Sequence, residues 1–224
     1  HIMQLKECIQ DYIGQRYNLS VQVKEPKSLK KEENNKNIKV EKWQITINTK
    51  PQQKDIPLQR IKLEIANIPA YTQEALPLRR NYEFLPDGYE DTLIYTETLD
   101  EIMADKLIAF PSTKRYIRYR DIWDLAWLVQ QGAKINTQLV LNKQNDYKLT
   151  KYNENLQSSI KELPAIVKSI AFKNEMKRFI PTNVFERTLG KEKFLGYLLN
   201  ANQTLFKTLQ KNILGETAQD DFDM

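Results

Sequence analysis

With 224 residues, 41% of them hydrophobic and 28% charged, and only six glycines, the chain has material for a real core, and its composition excludes a disordered or fibrous protein. No run of eighteen apolar residues exists to span a membrane, and one histidine with one cysteine excludes an internal disulfide, a multi-cysteine metal cluster and structural zinc. The formal net charge is +5, yet residues 215–224 hold four acids and no base, so residues 1–214 carry +9 by subtraction, a basic body suited to RNA or a nucleotide phosphate.

His1 and Ile2 precede Met3 and read as a cloning remnant, which leaves no native histidine for a general base or a Ser-His-Asp triad. No basic-then-apolar leader follows, so the expected location is cytoplasmic. Residues 4–15 place Leu5, Cys8, Ile9, Tyr12 and Ile13 at helical spacing, and residues 19–23 then alternate as a strand. Residues 24–42 carry seven lysines, four glutamates and three asparagines; they read as an exposed loop or a basic contact surface. Trp43, Ile45 and Ile47, and again Ile61, Leu63 and Ile65, alternate with polar residues as two half-buried strands joined through residues 49–59. A third short apolar run lies at 92–95.

From Thr98 onward the pattern is helical. Thr98 and Glu101 form a capping-box sequence at the start of a helix expected to stop at Pro111. A basic connector with Lys114, Arg115, Arg118 and Arg120 leads to a second helix over 119–131, ended by Gly132. Helical periodicity returns at 152–163, 165–178, 183–189 and 192–213. The expected organisation is an α/β region over 1–97, a helical domain over 98–214 and a frayed acidic tail over 215–224.

Three places invite a chemical reading. On the strand 60–66 the apolar residues face one way, so Lys62 and Glu64 project together from the other. A strand carboxylate beside a lysine suits Mg²⁺ ligation or base chemistry with a phosphate nearby, although an exposed charge pair has the same pattern. Lys106 falls in the apolar stripe of Leu99, Ile102, Met103, Ala109 and Phe110; its stem either snorkels to water or its head meets a carboxylate or phosphate. Asp121 and Asp124, spaced i, i+3, share one face of the next helix beside the basic connector, where they also complement the helix dipole.

Lys62-Leu-Glu-Ile65, then Leu99 through Lys106 with Ala109, then Arg120-Asp-Ile-Trp-Asp124 resemble, in order and spacing, the last three motifs of the AbiEii nucleotidyltransferases, toxins of abortive-infection and toxin–antitoxin systems. The resemblance spans about residues 60–128. It implies an α+β protein: a small mixed sheet, the remnant of a DNA-polymerase-β-like nucleotidyltransferase core, followed by a mostly helical domain. It further implies transfer of NMP from an NTP to an acceptor such as tRNA, with Mg²⁺ and a possible cognate antitoxin. Carried over, Glu64 is the third metal carboxylate and a catalytic residue, with Lys62 its neighbour at the nucleotide. Lys106 and Arg120 meet the nucleotide, Asp121 or Asp124 supports catalysis, and Lys114, Arg115 and Arg118 contact RNA. The chain departs from the family before Lys62: Gly14 is the one glycine in residues 1–61, and no glycine turn followed by a D-x-D pair is present. The expectation is therefore that this polypeptide, as given, does not transfer nucleotides. The alternative is a non-catalytic binding or regulatory module on the same scaffold.

Overall fold

The structure, a computed structural model, describes residues 2–26, 40–53, 55–83, 85 and 88–220. The chain divides into two compact units, His1–Pro69 and Ala70–Met224. The first unit begins with α1 (Ile2–Tyr17), which turns through Asn18, at φ 50°, into β1 (Ser20–Lys24). Strands β2 (Val40–Asn48) and β3 (Gln59–Ala66) complete an antiparallel sheet of order β1-β2-β3. One face buries Val23, Trp43, Ile45 and Ile47 under Leu5, Ile9 and Ile13 of α1. Two residues expected in that helical stripe, Cys8 and Tyr12, are exposed instead. A single helix over three short strands buries one narrow row spaced i, i+4, and positions to its side stay in water.

The second unit opens with the hairpin β4 (Glu74–Pro77) and β5 (Leu93–Thr96). Seven helices follow: α2 (Leu99–Ser112), α3 (Tyr119–Gln130), α4 (Thr137–Asp146), α5 (Tyr152–Lys168), α6 (Ile170–Met176), α7 (Thr182–Arg187) and α8 (Glu192–Asp220). Their core gathers Met103, Leu107, Ile122, Tyr152, Phe172 and Phe206, all fully buried. Truncating one of its leucines to alanine costs about 2–5 kcal/mol. No helix among the described residues is long and apolar enough to cross a membrane.

Several expectations change. The α+β class holds, but the described strands pair only antiparallel, so the sheets are not mixed. The division falls at Pro69 rather than residue 97, because the flanks of the β4–β5 hairpin are tied into the helices, as shown below. Strand β4 and helix α4 were not legible in the sequence pattern. Most of the lysine-rich segment, residues 27–39, lies outside the described residues. So do residues 221–224, while the α8 backbone continues to Asp220 through most of the segment expected to fray.

Pro111 does not stop α2 but sits in its last turn. Lacking an N–H, it leaves the Leu107 carbonyl without its i+4 donor. The buried Tyr152 hydroxyl of α5 donates to that carbonyl at 3.0 Å, so the proline's defect becomes a tertiary hydrogen bond. Burial raises the Tyr152 pKa and keeps the hydroxyl protonated for this donation.

Candidate functional site

In the first unit the period of two along each strand separates an apolar from a polar face. The polar face follows from register: Lys24 pairs with Gln44, which pairs with Lys62, and in the next row Lys42 pairs with Glu64. Lys24, Glu25, Lys42, Gln44, Lys62 and Glu64 line a cleft of about 490 Å³. Lys62 and Glu64 do project together, as the alternation of Leu63 and Ile65 requires. The Glu64 carboxylate lies 3.0 Å from the Lys42 ammonium. Among the described residues, three ammonium groups against two carboxylates line the cleft, a balance suited to a phosphate ester. It does not suit Mg²⁺: no group of three acids, histidines or cysteines able to hold a metal occurs among the described residues, and Glu64 faces a lysine.

The second unit contains Lys106, Asp121 and Asp124, which the fold brings together. Lys106, on α2, donates to Asp124 at 2.7 Å and to Asp121 at 3.3 Å across to α3. Asp121 is 4% exposed and also accepts from Arg118, so two cations share one buried carboxylate. Burial opposes the Arg118 charge, but Asp121 outweighs it and raises the guanidinium pKa. Helix α3 is held from behind by Asn202 of α8, which donates to the Ile122 carbonyl at 2.9 Å. The anion that Lys106 needs in its apolar stripe is therefore a pair of carboxylates from the same unit. Arg120 lies outside this network, with its guanidinium 4.6 Å over the Phe179 ring. Of the basic residues expected at RNA, Lys114 donates to Asn155 at 2.6 Å, Arg115 is exposed, and Arg118 is turned to Asp121.

The sequence reading missed a second network, centred on Lys143 of α4. Its side chain is 2% exposed, and its ammonium lies 2.8 Å from Glu101, 2.8 Å from Asp105 and 3.6 Å from Glu97. Thr98 caps α2, accepting from the Glu101 N–H, but the Glu101 carboxylate does not complete a capping box. It accepts instead from the backbone N–H groups of Tyr71 and Thr72, at 2.9 and 2.6 Å, and from the Thr72 hydroxyl. These bonds tie the segment before β4 to the helices. Burial alone would raise the Glu101 pKa; the donors from Lys143, Thr72 and Tyr71 reverse that and lower it to about 2. Glu97 goes the other way, to about 7, through burial and then repulsion by Asp105. Two signals were available: Lys143 falls at i+4 from Leu139 and i+3 from Val140, and Glu97, Glu101 and Asp105 repeat every four residues.

A family model described as "Nucleotidyl transferase AbiEii toxin, Type IV TA system" matches residues 2–200. No curated protein and no solved structure matches the chain.

Proposed function

The chain belongs to the AbiEii nucleotidyl transferase toxin family, and from that premise we propose that it is part of a toxin that transfers a nucleoside monophosphate from an NTP to an RNA acceptor, such as a tRNA end, in the cytoplasm. In that reaction an acceptor hydroxyl oxygen forms a bond to the α-phosphorus. The bond to the β-phosphate bridging oxygen breaks, pyrophosphate leaves with the electron pair, and the hydroxyl proton passes to a base or water. The observation that carries the nucleotide reading is the polar sheet face, where Lys24, Lys42 and Lys62 surround one cleft. Their ammonium groups bind and partly neutralise a triphosphate. Lys106 with Asp121 and Asp124 acts as a positioning clamp that fixes the first turn of α3 and with it Arg120.

Among the described residues, the same face holds too few carboxylates for the metal-assisted step that the family implies. In this proposal the chain as given binds triphosphate and does not transfer it. Labelled NTP, tRNA and Mg²⁺ test both halves: the expected result is no label on RNA, with triphosphate binding by calorimetry that weakens about tenfold or more in Lys62→Ala. Label transferred by this chain overturns the inactivity, and absence of triphosphate binding overturns the nucleotide site. The latter result favours a non-catalytic binding or regulatory module instead. Glu64 facing Lys42 and Lys106 facing two aspartates speak for that reading, since both leave family-motif residues paired within the protein. A cognate antitoxin is the further partner expected of a toxin–antitoxin family.

A further inference from the structure

We infer that the second unit carries a stacking site for unpaired nucleotides, formed by Tyr116, Phe179 and Arg120 and flanked by Lys114 and Arg115. The inference rests on the RNA reading above and specifies which part of the acceptor is held. Residues 113–118 connect α2 to α3, and four consecutive side chains there, Lys114 to Ile117, are exposed. Tyr116 is 59% exposed. It lines two hollows at once, one of about 210 Å³ shared with Arg120 and Phe179, the other of about 440 Å³ shared with Lys114, Arg115 and Ser158. Ile117 lines both hollows as well.

Phe179, 48% exposed just past α6, carries the Arg120 guanidinium at 4.6 Å and that of Arg178 at 5.7 Å. Acids nearby are largely answered: Glu175 pairs with Arg178 at 2.9 Å, and Asp121 with Lys106 and Arg118. Glu162, which lines the larger hollow, is the other carboxylate at these two spaces among the described residues. Exposed aromatic rings beside arginines and lysines bind single strands, because every base offers a π-face and the backbone offers charge. A duplex hides its base faces and offers phosphates alone. Arg118 also lines the smaller hollow, but its charge is committed to Asp121 and its guanidinium meets the Tyr116 hydroxyl.

Fluorescence anisotropy with the full chain, a short labelled RNA single strand and a blunt duplex of equal length tests this directly. The single strand is expected to bind more tightly than the duplex. Tyr116→Ala and Phe179→Ala each weaken it about tenfold without altering the salt dependence, while Tyr116→Phe binds like the parent. Lys114→Ala with Arg115→Ala flattens the salt dependence. Melting curves establish that each variant is folded, and Phe179→Leu serves where alanine disturbs packing. If only the lysine–arginine change weakens binding, or if duplex and single strand bind alike, RNA contact survives and stacking is overturned. A parent chain that binds neither RNA overturns both.

Discussion

The two units hold similar charged residues to opposite ends. On the polar sheet face Lys42 and Glu64 pair at 3.0 Å with side chains 67% and 50% exposed. Beneath α2 and α4, Lys143 and Glu101 pair at 2.8 Å with side chains 2% and 0% exposed. Water screens the first pair, so it stores little stability and either partner is open to exchange for a ligand's charge. The second pair has lost its hydration and depends on every bond it makes, which suits it to fixing geometry and not to binding. The Lys106 clamp stands between these extremes: Asp121 is buried, while Lys106 and Asp124 keep one side toward solvent. Burial, more than residue type, separates the groups available for chemistry from those that hold the scaffold.

That contrast breaks most easily at Lys143. Lys143→Met leaves Glu101, Asp105 and Glu97 without their common cation, and the expected loss is about 3–5 kcal/mol in urea unfolding. A loss below about 1 kcal/mol, the ordinary range of an exposed pair, would erase the distinction.

The pH dependence of the same network sharpens it. Glu97, raised from 4.5 to about 7, contributes stability that is whole below pH 4.5 and is lost as pH rises through 7. Glu101, lowered from 4.5 to about 2, contributes stability that is whole above pH 4.5 and is lost as pH falls through 2. Glu97→Gln is therefore expected to stabilise the protein above pH 7, with the gain shrinking toward pH 4.5. Glu101→Gln destabilises at neutral pH, and less so toward pH 2. Thermal melts of both variants across this range decide the matter; parallel curves would mean that the two carboxylates do not differ. The smallest effect belongs to the first unit, where Glu64→Ala is expected to change stability by no more than about 0.5 kcal/mol. A larger loss by the same melts would make Glu64 part of the scaffold.

Much of this arrangement was legible along the chain. Leu63 and Ile65 alternate with Lys62 and Glu64, and a strand with one buried face has no other way to place them. Lys106 in an apolar stripe announced a need for an anion, and the Arg120–Asp124 motif nearby held two. The Thr98–Glu101 pattern correctly marked the start of α2, because the Thr98 hydroxyl and the Glu101 N–H meet through local geometry alone. It misplaced the Glu101 carboxylate, whose donors lie 29 and 30 residues earlier at Thr72 and Tyr71 and 42 residues later at Lys143. Helix α4 escaped notice because its apolar stripe is short and is broken by the buried lysine itself.

By itself the sequence determined the α+β class, the outward face of Lys62 and Glu64, the Thr98 cap and most helix spans, and the motif order that resembles the family. These follow from side-chain periods and from contacts within a few residues. Tertiary structure alone decided which charges meet: that Arg118 turns to Asp121, that Lys143 gathers three carboxylates, and that Tyr152 answers the carbonyl Pro111 leaves open. Charge pairing over such separations depends on which surfaces lose water together, and that is settled when the helices pack.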